Sequence, residues 1–229
     1  MDEARIAELL VPFLIKPPGR DRKTGANNPG SLSPNQLTHI SMYIDLLLKW
    51  NARVNLTAVR EPEEIVTRHF GESIFAARQL FPELKEESFG FKPHVVDLGS
   101  GAGFPGLPIK LWAPQVRLTL IESNQRKATF LREVVRSLRL SDVEVFAGRA
   151  SSFTGFADFV TVRAVERFEA MLPVAAGLLG PAGYLAMLVG KAQVRPIRNL
   201  LPEHEWSEAV DLPLSFNRVL IIGSKESGL

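Results

Sequence analysis

The chain contains no cysteine. That excludes disulfides, cysteine-ligated zinc, iron–sulfur clusters and any mechanism through a covalent cysteine adduct, and it accords with a reducing compartment. Histidine is scarce too. His39, His69, His94 and His204 lie far apart without metal-ligand spacing, so no metal is expected. His69 sits just ahead of the stretch where the sequence pattern changes and is assigned a structural role. No apolar run approaches the roughly 20 residues that span a bilayer. The N-terminus opens on Asp2 and Glu3 without the basic region of a signal peptide. The expectation is a soluble cytoplasmic protein with no membrane partner. Neither sign of charge dominates: 27 basic residues against 25 acidic give a net charge of +2. That balance permits a nucleic-acid partner without requiring one, and leaves local charge to decide. What is present is ample core material, 45% hydrophobic over 229 residues, enough for one domain and an appendage.

One stretch stands out. In Val96-Asp97-Leu98-Gly99-Ser100-Gly101-Ala102-Gly103-Phe104-Pro105-Gly106, an apolar run ends in an acid and then breaks into alternating glycines. A buried strand that opens into a glycine-rich turn before a helix marks a nucleotide-cofactor loop, because glycine admits positive φ and lets a ligand approach without a Cβ in the way. The string carries two patterns. Gly101 to Gly106 matches the dinucleotide G-x-G-x-x-G, and Asp97 followed by Gly99, Gly101 and Gly103 matches the loop of S-adenosylmethionine enzymes.

The residues ahead of this loop read as helices. Residues 3–15 form a short one, with Ile6, Leu9, Leu10 and Phe13 on one side and Pro12 ending or kinking it. Residues 16–31, with Pro17-Pro18-Gly19 and Pro29-Gly30, form a loop made basic by Arg20, Arg22 and Lys23. Ser33-Pro34 caps a helix running to about Trp50, with Leu37, Ile40, Ile44, Leu47 and Leu48 at helical spacing. Glu61-Pro62-Glu63-Glu64 opens another, carrying Ile65, His69, Ile74 and Leu80, with Gly71 its weak point. Residues 1–90 are thus an α-helical extension.

From Pro93 strands alternate with helices, which implies a parallel sheet over residues 91–229. Strands are expected near 94–98, 117–121, 143–147, 158–162, 184–189, 206–212 and 217–223, with helices near 106–112, 125–139, 167–179 and 192–201. The final pair has no helix between its members, so the last strand is antiparallel. Seven strands ending this way describe the α/β, Rossmann-like sheet of class I S-adenosylmethionine-dependent methyltransferases, rather than two mirrored dinucleotide halves.

Three further features carry chemistry. Glu122 ends the second strand about 20 residues beyond the loop, where an acid accepts hydrogen bonds from the ribose hydroxyls of a nucleoside cofactor. Asp97 either faces the amino end of a cofactor or fixes the loop backbone. Arg163 ends the fourth strand at the carboxyl edge, as a contact to cofactor or substrate or as a salt-bridge anchor. On the helix after Glu122, Ala128, Leu131, Val134, Val135 and Leu138 make the buried stripe, and Arg132, Arg136 and Arg139 share another face. Over residues 126–149 six basic residues meet three acidic ones, a patch suited either to phosphates or to solvent. The Asn/Asp-Pro-Pro-aromatic motif that orients exocyclic amines is absent, and Arg163-Ala164-Val165 stands in its place.

Two motifs in order resemble the RsmG (GidB) family: Trp50-Asn51, Asn55-Leu56-Thr57-Ala58, Glu63-Glu64, Arg68-His69 and Ser73, followed by the glycine loop with its Phe-Pro-Gly tail. The resemblance covers roughly residues 33–200. It implies transfer of a methyl group from S-adenosylmethionine to N7 of a guanine in bacterial small-subunit (16S) ribosomal RNA, naked or in the 30S particle. It also implies that Gly99 and Phe104 lie against the cofactor, Glu122 near its ribose, Ala150 and Ser151 at its adenine edge, and Arg163 near the methionine end or the target guanine. Phe104 and Arg163 are candidates for the aromatic or arginine surface on which an unpaired guanine stacks. The chain departs from the family in two places. Met187-Leu188-Val189-Gly190 replaces the family's Ala-Leu-Lys-Gly, with Lys191 one step beyond, and Glu72 stands where the family has aspartate.

Guanine N7 offers an in-plane lone pair, so the implied reaction requires no general base, and catalysis is mostly alignment and electrostatics. Two other readings stay open on residues alone: a nicotinamide-dependent oxidoreductase from the literal G-x-G-x-x-G, and a catalytically silent RNA-binding assembly factor on the same fold.

Overall fold

A computed structural model describes residues 1–15, 31–81, 92–163 and 168–225. The basic loop expected over 16–31 falls, but for its last residue, outside the described residues, as do Ala164, Val165 and the expected boundary near residue 90.

The helical extension comprises α1 (Glu3–Leu14), α2 (Pro34–Asn51), α3 (Pro62–Glu64), a π-helical stretch (Ile65–Gly71) and α4 (Glu72–Leu80). Pro12 lies inside α1 and does not end it. Ser33 caps α2 in a full capping box: its hydroxyl accepts from the Gln36 amide, and the Gln36 side chain accepts from the Ser33 amide. The π-helical stretch was not expected. It ends at Gly71, where a Cβ would come within 2.6 Å of the Phe13 ring. Glycine is what lets α1 lie against this helix, so the weak point read in the sequence is a contact point.

The α/β portion follows the expected alternation: β1 (His94–Leu98), α5 (Gly106–Trp112), β2 (Arg117–Ile121), α6 (Gln125–Ser137), β3 (Val143–Phe146), β4 (Ala157–Arg163), α7 (Phe168–Gly177), β5 (Leu179–Gly190), α8 (Val194–Leu200), β6 (His204–Trp206), β7 (Val210–Asp211) and β8 (Arg218–Lys225). The sheet order is β3-β2-β1-β4-β5-β8-β6, with β7 also pairing β8. β1 to β5 run parallel and β8 runs antiparallel to β5. The sheet has eight strands where seven were expected, because the stretch read as one strand over 206–212 is two. The Ser207 hydroxyl accepts from the Ile222 amide between them and breaks the ladder.

β1 is buried at every residue, as a central strand covered on both faces must be. Its side chains alternate between two cores. Val95 joins the α1, α2, α5 and α6 side, which includes Phe13, Tyr43, Phe70, Leu107 and Leu131; Val96 and Leu98 join Leu172, Leu185 and Ile197 on the other. The extension therefore shares one core with a face of the sheet. The chain winds from β1 through β2 to β3 in one direction and returns through β4 and β5 in the other. The switch point lies at the carboxyl ends of β1 and β4, where ligands of open α/β sheets bind.

At Gly106 the first turn of α5 meets β1. A Cβ there would lie 2.7 Å from Leu120 Cδ2 and 2.8 Å from Asp97 Cβ, both fixed in the core. Gly106→Ala should destabilise the protein by about 1–3 kcal/mol through overpacking, read as a lower urea midpoint at unchanged slope. An unchanged midpoint would contradict so close an approach.

Candidate cofactor and substrate site

Beyond β1 the chain turns through Gly99, Gly101 and Gly103, all in the left-handed region at φ 70°, 56° and 89°. Gly103 is also crowded: a Cβ would meet Tyr43 Oη and Leu107 Cδ1 within 2.5 Å. Tyr43, buried in α2, donates from its hydroxyl to the Ala102 carbonyl and so pins the loop from below. Sequence reasoning missed Tyr43, although its place three residues after Ile40 was the available signal. Gly101 faces open space: a Cβ there would meet nothing nearer than the Gly99 carbonyl at 3.8 Å.

Glu122 follows β2 and spans the loop. Oε2 accepts from the Gly101 amide at 2.9 Å and Oε1 from the Asn124 amide at 2.7 Å. Asn124 then caps α6 through the Arg126 and Lys127 amides. A cleft of about 250 Å³ opens beside these groups, lined by Leu98, Gly99, Glu122, Ala150, Ser151 and Met171 among others. The structure thus brings together Gly99, Glu122, Ala150 and Ser151. Their arrangement fits a nucleoside: a carboxylate with lone pairs left to accept, apolar walls, and glycine backbone where a side chain would block entry.

Asp97 lies below the loop, not in the cleft. It is 1% exposed; Oδ1 accepts from Thr161 at 2.8 Å, and Oδ2 has no hydrogen-bond partner and sits under Gly106. Burial pushes its pKa up to about 6, against the pull of Thr161, Ser100 and the Gly106 amide. This placement favours the loop-fixing alternative read from the sequence.

Phe104 and Arg163 lie on the opposite side of the loop, within a cluster that the extension completes. The Phe104 ring stacks on Tyr43 at 5.4 Å and on His69 at 4.7 Å, and meets Phe70 edge-on at 5.2 Å. The Arg163 guanidinium lies 5.9 Å from the same ring. Arg163 Nη2 donates to the Arg68 carbonyl at 2.6 Å, to His69 Nδ1 at 3.1 Å and to Glu72 Oε2 at 3.1 Å. Only 8% of Phe104 and 9% of Arg163 is exposed. The guanine-stacking surface that the sequence reading gave to these two is therefore not open in the structure, because the extension covers it.

The first family-like segment is explained by the same cluster. Asn51 accepts from the Leu56 and Thr57 amides and donates to the Thr57 carbonyl, shaping the turn. That turn sets the Thr57 hydroxyl 2.8 Å from His69 Nε2. Arginine can only donate, so His69 Nδ1 is an acceptor and Nε2 carries the proton toward Thr57. Burial, then Arg163, Arg68 and Arg218, lowers His69 to about 3, although a backbone hydrogen bond at Arg68 opposes the shift. Both ring nitrogens are engaged and the ring is neutral.

A pH dependence follows. An unfolded histidine titrates near 6.5. Between pH 6.5 and about 3 the unfolded chain binds a proton at His69 that the folded chain does not. Stability is complete above pH 6.5 and falls with acid through this window, by up to about 1.4 kcal/mol per pH unit. Asp97 acts in the reverse sense. Its folded pKa of about 6 lies above the ordinary 3.8, so acidification between those values favours the fold. Wild type should lose more stability than His69→Gln between pH 6.5 and 5, by about 1–2 kcal/mol. Parallel urea midpoints for the two proteins would contradict a neutral His69.

Lys191 does not turn into the cluster; its ammonium pairs with Asp211 at 2.9 Å near the surface. Arg132, Arg136 and Arg139 are exposed, and none forms an ion pair among the described residues. Among the described residues no group of three or more histidines and acids could hold a metal ion, and no helix is long and apolar enough to cross a membrane.

Residues 36–217 match the family model GidB, rRNA small subunit methyltransferase G. The ribosomal RNA small subunit methyltransferase G of Desulfitobacterium hafniense is 36% identical over 165 residues, taking in 69% of this chain and 65% of the relative. That of Xylella fastidiosa is 38% identical over 170 residues, 73% of this chain and 75% of the relative. Among solved structures, magnesium protoporphyrin IX methyltransferase from Synechocystis with bound SAM superposes with a TM-score of 0.62 at 11% identity, over 89% of this chain and all of that one. TYW2 from P. horikoshii in complex with MeSAdo gives 0.53 at 17% identity, over 69% and 63%. At these identities the solved structures speak for the methyltransferase fold alone.

Proposed function

Because the chain belongs to the rRNA small subunit methyltransferase G family, we propose that it methylates small-subunit ribosomal RNA with S-adenosylmethionine as donor, at N7 of a guanine. The cleft would hold the cofactor, with Glu122 accepting from its ribose hydroxyls and Ala150 and Ser151 bordering its adenine. The bound cofactor supplies an electrophilic methyl on a sulfonium. The protein's part is to align the purine with that methyl and to exclude water. Because guanine N7 carries an in-plane lone pair, the residues of the site would have no proton to remove from the nucleophile.

The observation that carries this reading is the state of His69, the one histidine in the cluster. It is neutral, half-buried and committed at both nitrogens, so it is no free base, as a reaction at N7 permits. A nicotinamide reading is disfavoured by the end of the sheet: β8 runs antiparallel to β5 and no helix separates it from β7, so the second half does not mirror the first as in a dinucleotide-binding sheet. The basic face of α6 follows directly from Asn124 and suits the phosphates of the RNA. We place the reaction in the cytoplasm, on free RNA or on the 30S particle.

The test is transfer of labelled methyl from S-adenosylmethionine to small-subunit RNA or particles that lack the modification. Incorporation into either is expected. No incorporation, with the cofactor bound in calorimetry, would overturn the proposal. Tight NAD binding without S-adenosylmethionine binding would reverse the choice of cofactor.

A further inference from the structure

The turn joining β7 to β8 carries the most exposed large apolar side chain among the described residues. Phe216 is 92% exposed and Leu214 69%, so two large apolar side chains stand in water within three residues of each other. Leu214 also holds φ 58°, a region that bulky side chains rarely adopt. The turn is nonetheless firmly built. Leu212, buried at its base, donates its amide to the Arg218 carbonyl at 3.0 Å; the Ser215 amide donates to the Leu212 carbonyl at 3.1 Å, and the Lys191 amide to the Asn217 carbonyl at 2.8 Å. A rigid turn that spends strain to hold an aromatic ring in water implies something that covers the ring.

Its place in the fold indicates what. Arg218 pairs with Gly190, two residues beyond the Leu188–Arg163 pair. The turn therefore projects from the same carboxyl edge that carries the glycine loop. It stands three strands from β1, through β4 and β5, about 14 Å away at ordinary strand spacing. That is too far for the target base and suitable for a neighbouring one. The base of the turn is also positive. Arg218 and Arg163 both approach the single Glu72 oxygen Oε2 at 3.1 Å. The Arg163 side chain is buried beneath the extension at 6% exposure, whereas that of Arg218 is 22% exposed and carries the positive charge at the base of the turn.

We propose that the 212–217 turn is an RNA-stacking element, in which Phe216 takes the face of an unpaired nucleotide flanking the target guanine while Arg218 at its base favours the attached phosphate. This rests on the RNA substrate proposed above and adds a second contact to it.

Phe216→Ala should raise KM for the RNA or particle by about 5- to 100-fold, the range of one lost base stack, with kcat and cofactor affinity unchanged. Phe216→Trp should keep wild-type KM, and Phe216→Leu, apolar but without a π face, should behave as the alanine variant. Unchanged KM in Phe216→Ala would overturn the proposal. So would full rescue by Phe216→Leu, which would point to an apolar contact with a protein of the particle. Quenching of the added indole in Phe216→Trp by single-stranded small-subunit RNA is expected beyond that of wild type, and its absence would also overturn the proposal. That readout does not depend on methyl transfer, so quenching without catalysis would strike the proposed function and leave the stacking turn standing.

Discussion

Gly101→Asp should abolish methyl transfer and weaken S-adenosylmethionine binding by about 100-fold or more, roughly 3 kcal/mol, while the protein stays folded. Gly101 lies at φ 56° in open space, its nearest neighbour in the Cβ direction 3.8 Å away. Aspartate tolerates that backbone region better than most residues, so the fold should lose little. The new carboxylate would instead stand in the cofactor's path, beside Glu122, whose Oε2 already accepts from the Gly101 amide. Two acids would then compete for one ligand-facing position, and the like charge would disfavour both. Calorimetry and labelled-methyl incorporation read the loss; circular dichroism and a urea curve show the fold kept. Unchanged transfer would remove the cofactor assignment from this loop.

Glu72→Gln should destabilise the fold by about 3–5 kcal/mol, the usual result of removing one partner from a buried ion cluster. The Glu72 side chain is only 3% exposed and is approached by both Arg163 and Arg218. Burial raises the Glu72 pKa and the guanidiniums oppose that shift, while burial lowers Arg163 to about 10, still cationic at neutral pH. Without the carboxylate, the buried Arg163 and the half-buried Arg218 face each other with unpaired donors. Glu72→Asp, which restores the residue type seen in the family, should keep most of the stability. The urea midpoint decides: a loss below about 1 kcal/mol for Glu72→Gln would mean that water already serves those donors.

The glycine loop, Glu122 and the strand–helix alternation were legible in the sequence because each is local. A left-handed backbone must be written in glycine, and an acid at a strand end announces itself by position. The cap at Ser33 and the buried stripe of α6 were legible for the same reason, apart from Phe130, which is buried where Val135 was expected to be. What was not legible depends on contacts across the chain. The close contact of Phe13 with Gly71, at the end of the π-helical stretch, is one such case. The split of the sixth strand follows from Ser207 reaching Ile222. The His69–Phe104–Arg163 cluster joins three segments that only the fold brings together. His69 was read as structural from its isolation. Its neutrality and its bond to Arg163 could not be read until Asn51 and Thr57 were seen to hold it. Arg163 was read both as a salt-bridge anchor and as a site residue, and the ion pair with Glu72 adds the first of these. The exposed turn at Phe216 left no periodic signal, since a loop aromatic looks the same whether it packs or projects.

The measurement closest to the centre of this account is the identity of the methylated atom. Small-subunit RNA treated with the protein and S-adenosylmethionine, then reduced and cleaved with aniline, should break at one new guanine, the mark of N7 methylation. Label on a ribose, on an exocyclic amine or spread over many guanines would contradict a site built to align one N7 lone pair without a base.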